Sequence, residues 1–148
     1  MRSALTVTGF MLLSGSLVFA ATEKAPNTRE LARLEARAAQ ASTKDQIFVY
    51  AELIDVATDL AVVQIQAGAE EQASTSLETV WSYASSVDLK AAKGAKKLKN
   101  AEILLSRAEF RLRQILKSAP LEDRSFLEKV LKRVSDLQSA LLLRVFER

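Results

Sequence analysis

Residues 47–66 read IFVYAELIDVATDLAVVQIQ, and the fold follows from how apolar groups recur in this stretch. Ile47, Tyr50, Ile54, Ala57, Ala61 and Ile65 follow one another at intervals of three and four residues, the period of one helical face. Phe48, Leu53, Val56, Leu60 and Val63 build a second apolar row beside the first. A helix with two apolar rows needs neighbours on more than one side. Helical from Thr43 to Ala67, it would span about 37 Å at 1.5 Å per residue, and its expected place is the centre of a bundle. Gly68, which can take positive φ at little cost, ends it.

The flanking sequence continues in the same vein. Asn27, with Glu30 three residues on, makes a capping pair after Pro26 and opens a helix carrying Leu31, Leu34, Ala38 and Ala41. Ser42 and Asp45 form a second such pair. A third helix is predicted from Ala69 to about Ser86, with Ala73, Leu77, Val80, Trp81 and Ala84 on one side. A fourth runs from about Gly94 to Lys117 and shows Leu98, Ala101, Leu105, Ala108, Leu112 and Ile115. Pro120 stops it and opens a fifth, where Leu127, Val130, Val134, Leu137, Leu141 and Val145 recur at close to 3.5 residues. Beyond residue 20 the breakers are Gly68, Gly94, Pro26 and Pro120, too few for the repeated turns of a β-sandwich or barrel. The reading is all-α: an antiparallel bundle or short helical-hairpin array of about five helices. Short connections should make sequential neighbours antiparallel. Leu60 and Ala61, then Gly68, Ala73, Leu77 and Val80, resemble the helix-turn-helix of one tetratricopeptide unit. Gln64 stands where that unit has an aromatic, and no second copy appears around Pro120, so the segment is read as ordinary hairpin packing.

The N-terminus has the pattern of an export signal. Arg2 is followed by the apolar, interrupted stretch Ala4–Phe19, and Val18 and Ala20 place small groups where a signal peptidase reads. Cleavage is expected after Ala20, leaving residues 21–148 as a single helical domain, secreted or periplasmic. The alternative is an uncleaved membrane anchor, but the stretch is shorter than the run of about 18–20 apolar residues that a spanning helix needs.

Composition excludes whole classes of chemistry. With no His and no Cys, the chain has no Ser-His-Asp or Cys-His set, no ordinary zinc site and no disulfide framework. Gly-rich phosphate loops are absent, and Ser86 with Lys90 does not define a dyad by spacing alone. No catalytic residue, cofactor or metal is assigned. Charge is divided unevenly: residues 21–88 carry 5 basic and 11 acidic side chains, residues 89–148 carry 15 and 7. Acidic helices two and three are expected to face basic helices four and five, choosing neighbours by edge charge.

Three surfaces remain as candidates. Lys90, Lys93, Lys96, Lys97 and Lys99 crowd around Gly94 in a solvated connection that could attract anionic lipid headgroups or polysaccharide. No aromatic is interleaved from Leu89 to Lys99, and nucleic acid is not an expected partner. Glu52, Asp55 and Asp59 share a helical face, either as a hard-cation site or, more simply, as a stripe that is solvated or faces Arg107 and Arg111. Tyr50, Trp81 and Tyr83 either line a pocket or, more simply, are expected in the core with polar tips outward. At the C-terminus Leu141, Leu142, Leu143, Val145 and Phe146 are interrupted only by Arg144, so they are covered either by the chain itself or by a partner. The expected function is that of a non-enzymatic interaction or scaffold module, its partner another envelope protein or a second copy. Anion binding through the lysine loop is the alternative.

Overall fold

The computed structural model describes residues 25–147, with side chains from 28 onward, and the expected leader lies outside them. Among the described residues there are five α-helices and no strand: α1 (Ala25–Gln40), α2 (Gln46–Gln66), α3 (Glu70–Ser86), α4 (Leu98–Ser118) and α5 (Leu121–Phe146). A 3-10 turn, Leu89–Ala92, lies between α3 and α4. None of these helices is long and apolar enough to cross a membrane.

Local chemistry sets the boundaries. Ser42 turns the chain into α2 by donating its hydroxyl to the Asp45 carboxylate at 2.8 Å, while its carbonyl accepts from Asp45 and Gln46 N–H. Gly68, at φ +74°, closes α2: Gly68 N–H donates to the Ile65 carbonyl and Ala69 N–H to that of Gln64. Two starts differ from expectation. α1 begins at Ala25, ahead of Asn27, and α4 begins at Leu98, because Gly94 (φ +83°) and Lys97 (φ +56°) both turn left-handed.

α2 packs against α1, α3 and α4, as its two apolar rows require. The arrangement, however, is a hairpin array and not a bundle with sequential neighbours throughout. α3 leans on α2 and α5, α4 on α2 and α5, and the eleven-residue connection from Val87 to Lys97 carries the chain from α3 back to the start of α2. There Lys96 N–H donates to the Lys44 carbonyl. The same separation of 52 residues holds further along, where Arg107 reaches Asp55, so α2 and α4 run parallel. α3 and α5 are parallel too: Arg133 reaches the Ser85 carbonyl at one end, while Glu70 and Glu122 line one cavity at the other. Two antiparallel hairpins, α2–α3 and α4–α5, thus lie side by side, with α1 on the outer side of α2.

The seam between the parallel pair has a simple packing rule. Buried positions 47, 51, 54, 58 and 61 of α2 and 101, 105, 108, 112 and 115 of α4 share one 4-3-4-3 spacing. On α2 these positions are Ile47, Ala51, Ile54, Thr58 and Ala61, and on α4 they are Ala101, Leu105, Ala108, Leu112 and Ile115. Val80, Val130, Val134 and Leu141 complete this core with no more than traces of exposure. A smaller cluster, Leu34, Ala38, Val49 and Leu53, fastens α1.

Candidate functional site

The carboxylate stripe of α2 is an ion-pair seam. Asp55 is buried, and its two oxygens accept from Arg107: Nε at 3.0 Å and, more closely, an Nη. Arg111 adds a contact to Asp55 at 3.2 Å and another to Asp59 at 3.4 Å, while Glu52 turns the other way to Arg37 at 3.1 Å. The hydrogen bonds that Arg107 donates to Asp55, then the charge of that carboxylate, hold the Arg107 guanidinium above its ordinary pKa. Asp55 and Asp59 thus face Arg107 and Arg111, as the simpler of the two readings expects, while Glu52 does not. Among the described residues no group of three or more acidic, His or Cys side chains is placed to hold a metal ion.

The lysine segment and the C-terminal residues, separate in sequence, meet at one end of the molecule. Lys93, Lys97, Lys99, Arg144 and Glu147 line a cleft of about 700 Å³ with Ala95, Leu98 and Val145. All five lysines are exposed. The segment is nonetheless tied down: Asp88 accepts from Lys90 N–H at 2.9 Å, and the Lys97 ammonium sits 4.6 Å from the centre of the Phe48 ring. Across the cleft, Leu141 is wholly buried in the chain's own core, whereas Leu142 is 38%, Leu143 67% and Phe146 79% exposed. The surface open to a partner is therefore Leu142, Leu143 and Phe146, with Val145 half-buried and Leu141 unavailable.

The opposite end holds a groove that sequence reading missed. The first turns of α3 and α5 and the last turns of α2 and α4 enclose about 430 Å³ over an apolar floor of Ile65, Leu77, Ile115 and Phe126. Its rim carries Glu70, Glu78, Glu122 and Asp123, and among the described residues no Lys or Arg lines it. None of these four carboxylates has an ion-pair partner among the described residues. The only available signal was acidic residues in the first turns of two helices, which the helix dipole explains equally well. Their convergence needs the parallel stacking of α3 on α5.

Tyr50 and Tyr83 meet edge to face at 5.2 Å, and the Tyr50 hydroxyl accepts from Gln46. Trp81, expected on the core face, is instead 39% exposed, because Val80 takes the inward position on α3. Comparison of the chain with protein-family models, curated proteins and solved structures finds no match.

Proposed function

We propose that the chain is a non-enzymatic, exported helical module of the cell envelope that holds another protein through the end of α5. The observation that carries this reading is the exposure of Leu143 and Phe146 on a helix whose preceding turns are anchored in the core through Val134, Leu137 and Leu141. A rigid rod presenting apolar groups at its tip loses little conformational freedom on binding. The export reading rests on the pattern of residues 1–20.

A second reading is favoured by the basic cleft: Lys93, Lys97, Lys99 and Arg144 around one opening would attract an anionic lipid or polysaccharide. Affinity capture from envelope extracts separates the two. Protein partners retained at high salt, lost with a Leu143→Asp/Phe146→Asp double variant and kept when Lys90, Lys93, Lys96, Lys97 and Lys99 become Gln, support the module. Salt-labile capture of lipid or polysaccharide that depends on the lysines overturns it in favour of the second reading.

A further inference from the structure

We propose that the acid-rimmed groove receives the α5 tip of a second copy of this chain, so that molecules join head to tail. The inference rests on the reading of that tip as a contact surface, and it names the partner. Charge complementarity supports it. The groove offers four unpaired carboxylates, Glu70, Glu78, Glu122 and Asp123, over an apolar floor. The tip offers exposed Leu143 and Phe146 beside Lys93, Lys97 and Lys99 of the adjoining cleft, while Arg144 is paired with Glu147 at 2.9 Å, so among the described residues lining that cleft the lysines leave it net positive. Apolar groups fill the centre and opposite charges form the rim, the anatomy of a specific interface.

Geometry forbids the same contact within one molecule. Phe126 lines the groove and Phe146 stands at the tip, on a single helix. Twenty residues of helix separate them by about 30 Å. Donor and acceptor lie at opposite ends of a rigid element, so each molecule keeps one free tip and one free groove. Such a heterologous contact propagates into a ring or an open filament.

Sedimentation of the purified chain tests this. At about 0.1 M salt, species larger than one chain should grow with concentration, and association should weaken by about tenfold at about 1 M, where rim charges are screened. Phe146→Asp blocks the tip and Glu122→Lys/Asp123→Lys blocks the groove, so each variant alone should stay monomeric. Mixed in equal amounts they should form a one-to-one dimer that grows no further, since one retains a working groove and the other a working tip. A chain monomeric at every concentration overturns the proposal, as does a mixture that fails to pair. So does association that survives both variants, or that is lost instead on Phe110→Asp at the exposed face of α4. If the chain stays monomeric while capture of another protein still depends on Leu143 and Phe146, the head-to-tail contact fails and the interaction module stands. If neither self-association nor capture depends on those residues, both fail.

Discussion

α2 and α4 are each 21 residues long and lie parallel, yet α2 buries eleven residues and α4 buries five. The difference is one of neighbours. α2 has α1, α3 and α4 around it; α4 has α2 and α5, and its remaining face meets solvent with Ile103 and Phe110 exposed. Two helices of one length and direction can therefore have unlike sequences because burial, not backbone propensity, decides which positions must be apolar. The contrast also separates two kinds of apolar contact on α2: the seam with α4, which is shared by the whole core, and the side under α1, which is not.

The largest expected effect lies in the shared core. Leu112 of α4 is wholly buried in the main core cluster. Leu112→Ala should cost about 2–5 kcal/mol in urea unfolding, transfer and cavity terms together. Leu34→Ala should behave differently, because among the described side chains of α1 only Leu34 and Ala38 are buried. Its effect should appear in hydrogen exchange as faster opening confined to residues 28–40, with α2–α5 still protected. Equal loss of protection throughout would show that α1 is integral to the core and would erase the distinction.

A smaller effect belongs to the ion pairs on the α2–α4 seam. Asp55→Asn keeps the shape but removes the charge that both Arg107 and Arg111 approach. The two guanidiniums are 52% and 28% exposed, so water replaces much of what is lost, and the cost should be about 1–2 kcal/mol. In denaturant melts the wild-type advantage should shrink as salt rises. A cost independent of salt would assign Asp55 to packing, and α2 would then meet α4 through shape alone.

How much of this was legible in the sequence can be argued from the same two helices. The two rows of α2 announced more than one neighbour, and Gly68 and Pro120 placed the hairpin turns. Arg107 and Arg111 were readable as partners of Asp55 and Asp59 from charge and helical spacing. Adjacency was harder. Sequential packing put α3 beside α4, but the connection from Val87 to Lys97 is long enough to return to Lys44, and nothing local in its lysines specifies that path. The cue lay in the recurrence of the buried 47–61 spacing at 101–115. The groove was illegible for the same reason: Glu70 and Glu122 are 52 residues apart and converge only once the hairpins stack. Splitting the chain into acidic and basic halves hid it, since Glu122 and Asp123 belong to the basic half.

The finest test concerns the other side of α2, where Tyr83 of α3 reaches the α1 cluster. Burial, then the charges of Glu35 and Tyr50, raise the Tyr83 phenol above its ordinary pKa. The folded state thus favours the protonated phenol. As pH climbs through about 10, the unfolded chain gives up this proton while the folded chain keeps it, so stability is flat below that point and falls above it. The Tyr83 hydroxyl has no hydrogen-bond partner among the described residues, so Tyr83→Phe should change stability little at neutral pH. Above pH about 10 the variant, with no proton to lose there, should lose less stability than wild type. Urea unfolding of both proteins on either side of that pH reads the difference directly. Parallel curves would mean that the phenol is as well solvated folded as unfolded, and that α1 does not cover the second apolar side of α2 in solution.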